Sequence, residues 1–325
     1  VKIHIHRYDL TPGPDPARAA ATARRGTLLK IDFEDGATGY ADLHPWPEFG
    51  HAPLENQLAS LVANHPTPLA QLALRHARTD AAARRAGLSL FAGLPEVCSH
   101  ALFTDWTDAP RAVFERCVTE GYTAAKLKIG RAPERESVAI NALAELPLRW
   151  RLDANAAFTL DSLTDWLARL VPSVHANIEF LEDPCAYDPA AWSGISKREK
   201  LPLALDWELP SSEPPWPGAQ ILVIKPASQD AFSLALAAAQ AGMKIVVTHS
   251  MDHPLGRATA LWTAMRLRQR HGDLVRDGGL QGDGLYAPDD FTRAFDDRGP
   301  QPGPTAGTGF GFDRVLQSLL WRVLR

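Results

Sequence analysis

The chain has 325 residues, 45% of them hydrophobic, with 34 Lys plus Arg against 38 Asp plus Glu and a net charge of −4, enough apolar material for a sizeable core in one large or two modest domains. Without a basic excess or an acidic tail, nucleic acid is excluded as a partner. Cys98, Cys117 and Cys185 hold no C-x-x-C pair, which excludes a disulfide framework and a zinc ribbon.

In chain order, KIHIHRYDL alternates polar and apolar residues and predicts a strand, not a signal-peptide core. TLLKIDFEDGATGYADLHP predicts two more strands around a turn at Asp35-Gly36. PLENQLASLVANH and QLALRHARTDAAARRAGLSLFAGL carry apolar residues at three- and four-residue spacing and predict helices. Residues 1–96 therefore read as a small α+β domain. His4-Ile5-His6 has the spelling of the H-x-H that opens a metal-dependent amidohydrolase barrel. The segments after it are hairpins, however, and few later strand ends offer histidine, so the two histidines read as one face of a strand.

From about Cys98 the rhythm changes. CSHALF, AAKLKI, RWRLDA, NIEFLE, LPLALD, QILVIK and KIVVTH are short apolar runs, mostly separated by helical stretches such as DAPRAVFERCVTEGY and TLDSLTDWLARLV. This alternation predicts a parallel sheet covered on both faces and closed into a (β/α)7β TIM-like barrel over residues 97–299. The connecting segment 188–200 and the eighth strand, near Leu280, are its least marked parts. GTGFGF has no strand leading into it, so it is no dinucleotide loop. The tail GFDRVLQSLLWRVLR predicts an amphipathic helix with Val315, Leu316, Leu319, Leu320 and Val323 on one stripe, and 300–325 is expected to pack back on the N-terminal domain. No run of about 18 apolar residues exists. The expectation is a protein of the reducing cytoplasm that neither spans nor binds a membrane.

Catalytic groups of such barrels come from the C-terminal ends of the strands. Here the successive runs end on or near Lys126 and Lys128, Asp153, Glu182, Asp206 and Lys225. Singly, a K-x-K is a solvated face, an acid after a strand caps the next helix, and Lys225 is an edge charge. Together they read differently. Lys126 and Lys128 share a face by period two and must both face helices or both face inward, and unpaired cations against the helix layer would each cost several kcal/mol. Three carboxylates without His or Cys form a hard oxygen set that suits Mg²⁺, with Mn²⁺ able to substitute. A divalent ion beside a lysine fits removal of a proton next to a substrate carboxylate, provided that the lysine is neutral. Arg151 and Asn155, two residues to either side of Asp153, share its face and are expected to add a cation and a hydrogen-bonding amide near the metal or substrate.

KLKIG, RLDANAAFT, EFLEDP, LALDWEL and VIKPA, in that order, resemble the enolase superfamily, and more narrowly its muconate-lactonizing subgroup and the o-succinylbenzoate synthase family within it. RRGTLLKIDFEDGATGYADLHPWPEFG is similar to the capping-domain hairpin and mobile loop of those enzymes, and THSMDHPLG to their seventh-strand loop. The resemblance implies a general base at Lys128, helped by Lys126, with Mg²⁺ held by Asp153, Glu182 and Asp206. It implies cation–π stabilisation by Lys225 and a small-molecule carboxylate as substrate, dehydrated in menaquinone biosynthesis. The fifth strand departs from the family's D-E-S, so Glu208 competes with Asp206 as third ligand. The seventh-strand loop is commonly serine-rich; Thr248, His249 and Ser250 stand there and are expected to meet the succinyl carboxylate.

An N-acylamino acid racemase or dipeptide epimerase would share the machinery, with Lys128 and Lys225 as opposite-face bases. The dipeptide reading is weakened because the eighth-strand region has Asp283 alone and Asp289-Asp290 adjacent, not a D-x-D. A hydrolase triad from His249, Ser250, Asp252 and His253 lacks a G-x-S-x-G elbow. A retired barrel acting as a binding protein would have tolerated losses among the six charged positions, and all six are present.

Overall fold

The structure, a computed structural model, describes residues 1–206, 209–210, 214–282, 284–295 and 297–325. Its N-terminal sheet comprises β1 (Lys2–Leu10), β2 (Arg24–Asp32) and β3 (Thr38–Leu43), all antiparallel. Period two puts Ile3, Ile5, Leu29, Ile31, Ala41 and Leu43 on one buried face, where α1 (Leu54–Val62) and α2 (Pro68–Arg85) cover them with Leu58, Leu61, Leu69, Ala73 and Ala77. A Cβ on Gly39 would run into the Ala77 carbonyl oxygen, so α2 packs this close only because glycine is there. The predicted second helix is shorter than its sequence pattern: Gly87, at φ 68°, turns the chain away after Arg85. His4 and His6 belong to β1, His4 bonded to Asp32 at 3.0 Å, so the H-x-H pair lies in this sheet and not in a barrel strand.

The barrel follows as β4 (Ala101–Phe103), α3 (Arg111–Thr119), β5 (Ala124–Lys128), α4 (Pro133–Asn141), β6 (Arg149–Asp153), α5 (Leu160–Ala168), α6 (Pro172–Ala176) and β7 (Ile178–Glu182). It continues through α7 (Pro189–Glu199), β8 (Leu203–Leu205), β9 (Ile221–Ile224), α8 (Ala231–Gln240), β10 (Lys244–Thr248), α9 (Pro254–His271) and β11 (Val275–Gly279). All eight strands are parallel and adjacent in sequence order. A Ser99–Gly278 bridge closes the ring, with the His100 amide donating to the Gly278 carbonyl at 2.9 Å. Among the described residues no helix lies between β8 and β9. Phe180, Ala204, Ile221, Val223 and Val246 fill the interior, so the residues two further along β7, β9 and β10, and Asp206 just past β8, face inward at the C-terminal end. No helix among the described residues is long and apolar enough to cross a membrane.

The predicted C-terminal helix is a correction. α10 spans only Asp313–Ser318, and the chain then extends into β12 (Arg322–Val323), antiparallel to β1. Leu320 and Val323, placed on the helical stripe, are 84% and 61% exposed. The cause is the open edge of β1: the Ile3 amide donates to the Arg325 carbonyl at 2.8 Å and the Leu324 amide to the Ile3 carbonyl at 2.8 Å. Strand pairing satisfies backbone groups that a last helical turn would leave open.

Candidate active site at the barrel mouth

Strand register brings Lys128, Asp153 and Glu182 into one row: Lys128 pairs with Asp153 across β5 and β6, and Asp153 with Glu182 across β6 and β7. Asp206 follows β8 and Lys225 follows β9, so the row runs round the mouth. The Lys126 ammonium lies 2.7 Å from Asp153 Oδ2 and 2.7 and 2.8 Å from the two Glu182 oxygens. Lys128 Nζ donates to the same Asp153 Oδ2 at 2.6 Å. Lys225 donates to Asp206 Oδ2, whose other oxygen is buried without a partner. β5 and β9 are four strands apart in a ring of eight, so Lys128 and Lys225 face each other across the mouth.

These contacts set the charge states. Burial works against the Lys126 ammonium, but Asp153 and Glu182 outweigh it and hold it protonated. Burial also works against the Asp153 carboxylate, and Lys126 and Lys128 outweigh that, holding it far below the usual carboxylate range. Burial and Asp153 push the Glu182 carboxyl up; both of its oxygens nevertheless accept from Lys126, which is the arrangement of an ionised group. For Lys225, Asp206 overrides burial and raises the pKa.

The remaining predicted residues divide. Asn155 is at the mouth, held at φ 45°; its amide nitrogen donates to Asp153 Oδ1 at 3.3 Å while its oxygen accepts from Lys128 at 3.1 Å. Thr248 is at the inner end of β10. Arg151 shares the inward face but is registered with Lys126 and Phe180, one layer below the acids. Fully buried, it donates to Glu179 at 2.9 Å, lies 2.9 Å from His100 Nδ1 and donates to the Asp277 carbonyl at 2.6 Å. His249 has both ring nitrogens engaged within the chain: Nδ1 accepts from the Met251 amide at 3.0 Å and Nε2 donates to the Gln281 carbonyl at 3.0 Å. Ser250 has a buried hydroxyl with no partner. Glu208 and Asp283 lie outside the described residues.

Two residues escaped the sequence reading. Asp183, at φ 40°, accepts the Asp206 amide at 3.2 Å and so braces the end of the fifth barrel strand. Its only signal was its position between Glu182 and a proline. Phe49, in a 3₁₀ turn over Pro47–Phe49, stands with its ring 6.0 Å from Lys225 Nζ. It stacks on Trp46, which Arg24 covers at 3.7 Å, so the N-terminal sheet supplies a roof to the mouth.

Residues 3–83 match the family described as O-succinylbenzoate synthase, N-terminal domain, and residues 109–213 match Enolase C-terminal domain-like. The fold is shared with an enolase-superfamily protein from Listeria innocua (TM-score 0.78, 18% identity, 100% of this chain and 99% of that one). It is shared too with a dipeptide epimerase from Methylococcus capsulatus crystallised with Mg and a dipeptide (TM-score 0.77, 20% identity, 96% and 99% covered). An eight-stranded parallel barrel with a separate antiparallel sheet over its charged mouth is the architecture of the enolase superfamily. The o-succinylbenzoate synthase of Bdellovibrio bacteriovorus is 33% identical over 100% of this chain and 99% of its own length, and that of Edwardsiella ictaluri is 26% identical over 78% and 82%. The chain belongs to the o-succinylbenzoate synthase family, a family of lyases.

Proposed function

We propose that this chain dehydrates 2-succinyl-6-hydroxy-2,4-cyclohexadiene-1-carboxylate to 2-succinylbenzoate, a step of menaquinone biosynthesis carried out in the cytoplasm. The observation that carries the reading is the convergence of Lys128, Lys225 and three acids on one barrel mouth, in a chain that matches a synthase from end to end. On this reading residues 97–299 are the catalytic barrel, and residues 1–96 with 300–325 are its cap.

Asp153, Glu182 and Asp206 offer only oxygen donors, and the unpartnered buried Asp206 Oδ1 is one more acceptor than the lysines satisfy, so the set fits a hard cation. Among the described residues no three His, Cys, Asp or Glu form a ready-made cage; the ammonium groups of Lys126 and Lys225 hold the acids and must release them. Mg²⁺ bound there would supply Lewis-acid stabilisation of the charge that develops on the substrate carboxylate. The other tasks fall to the chain. Lys128 in its neutral form takes the proton from the carbon next to the carboxylate. The carbon–oxygen bond to the hydroxyl breaks, and the Lys128 ammonium returns that proton to the departing hydroxide, which leaves as water while the ring becomes aromatic. Removal and return on one face give syn elimination with one base. Lys225 remains an ammonium and stabilises the flattening ring by a cation–π contact.

N-acylamino acid racemisation is a second reading, favoured by the two lysines facing each other across the mouth. Giving the protein the cyclohexadiene and, separately, N-succinyl amino acids with Mg²⁺ separates the two. Dehydration is the expected outcome; racemisation without it ends the synthase reading.

A further inference from the structure

The junction of the N-terminal sheet with the barrel holds a second group of acids. Asp42 on β3 and Asp252, just before α9, approach the same stretch of backbone: a Cβ on Gly256, in the first turn of α9, would stand 2.6 Å from Asp252 Oδ2 and 2.7 Å from Asp42 Oδ2. Asp42 is partly buried but its carboxylate is turned inward. Its Oδ1 accepts from the Tyr8 hydroxyl at 2.6 Å and its Oδ2 from the His253 amide at 3.2 Å. Asp252 is only 4% exposed, and neither of its oxygens has a partner.

Among the described residues no cation answers the two acids. Arg24 is committed to Trp46 and Glu48, and Arg257 to Leu280, Gln281 and Asp297. Burial holds His44, His76 and His253 neutral. His249, 3.7 Å from Asp252, presents an Nδ1 already accepting from Met251, and Tyr286 gives its proton to the Met251 carbonyl. Because Tyr8 donates to Asp42, it accepts from His44 Nδ1 at 2.8 Å, which leaves His44 Nε2 as a further buried acceptor without a donor. The N-terminus of the 18-residue α9 contributes only about half a positive charge. The neighbourhood is short of donors and of positive charge together.

We propose that Asp42, beside Asp252, remains a neutral carboxylic acid at neutral pH, so that the seating of the N-terminal sheet on the barrel is linked to a bound proton. Burial and the charge of Asp252 both raise the Asp42 carboxyl. An unfolded aspartate releases its proton near 3.9, so above that pH the native state binds more protons, and stability falls as pH rises through the folded value. Between about pH 7.5 and 8, histidines are largely neutral in both states and tyrosines protonated in both, so neither accounts for a slope there.

The test is urea unfolding of the full chain across that window, with Asp252→Asn as its partner. The expected result is a folding equilibrium constant that falls with pH, by up to about tenfold per unit, and a slope that Asp252→Asn flattens. Infrared spectra of the wild type should also show the carbonyl band of a buried carboxylic acid at neutral pD, a readout that does not depend on the variant folding. Absence of that band, or an unchanged slope in Asp252→Asn, overturns the proposal. So does a stability that depends on sodium against tetramethylammonium at fixed ionic strength, which would put a metal cation in the proton's place.

Discussion

Two clusters of buried acids, one at the barrel mouth and one at the junction of sheet and barrel, differ in how their charge is met. At the barrel mouth Asp153, Glu182 and Asp206 are each met by the side-chain nitrogen of Lys126, Lys128 or Lys225. At the junction Asp42 and Asp252 meet histidines, a phenol and a helix N-terminus, and among the described residues no lysine or arginine. Burial penalises every one of these carboxylates; whether a mobile cationic side chain shares the face decides between keeping the charge and taking up a proton.

The largest expected effect tests the mouth directly. Lys128→Ala should lower kcat by about 10² to 10⁴, the usual contribution of a general base, while the urea midpoint moves little because Lys128 is only partly buried. Turnover within tenfold of wild type would remove Lys128 from proton transfer. Next comes Lys126→Met, which leaves Asp153 and Glu182 side by side without the ammonium that bridges them. Removing one partner from a buried ion pair costs about 3–5 kcal/mol, so the chain with chelator present should lose that much in urea unfolding. Asp252→Asn should instead be neutral or stabilising at pH 8, since it discharges an acid that has no cation. Equal losses in the two variants would erase the contrast.

The mouth was legible in the sequence and the junction was not, for a physical reason. Barrel strands are covered on both faces, so Lys126, Asp153 or Glu182 inside an apolar run is conspicuous and period two gives its direction. Period two does not give depth. Arg151 has the parity of Asp153 but starts two residues lower, roughly 7 Å along the strand, and there Glu179 and His100 take up its guanidinium. Tyr8, Asp42, His44 and Asp252 lie in three separate stretches of sequence with no spacing that links them; only the docking of the sheet on α9 brings them together. The C-terminal stripe misled because a helical pattern says nothing about an open edge elsewhere, and β1 offered one.

Acid separates the regions again, with a smaller effect. His44 has its pKa lowered from 6.5 to about 4, chiefly by burial. Its folded value lies below the unfolded one, so the stabilisation is complete above about pH 6.5 and is lost as pH falls toward the folded value. The difference is worth on the order of 3 kcal/mol at its limit. Unfolding followed from pH 7 to 4 should show this slope in the wild type, and His44→Gln should reduce it. A slope identical in both would mean that His44 is not the group being protonated.

The smallest expected effect is an uncharged standard for the others. Thr159 caps α5 in a reciprocal box: its hydroxyl accepts the Ser162 amide at 3.2 Å, and the Ser162 hydroxyl accepts the Thr159 amide at 2.9 Å. Thr159→Ala leaves the Ser162 amide without its side-chain acceptor at a solvent-exposed helix start and should cost about 1 kcal/mol. Because neither residue titrates, the cost should be the same from pH 5 to 9, which the urea midpoint of the variant against wild type can check. If the Thr159→Ala deficit itself varied with pH, a global electrostatic term would be acting on the whole barrel. The slopes assigned to His44 and to the Asp42–Asp252 pair would then have to be measured relative to that term and not to zero.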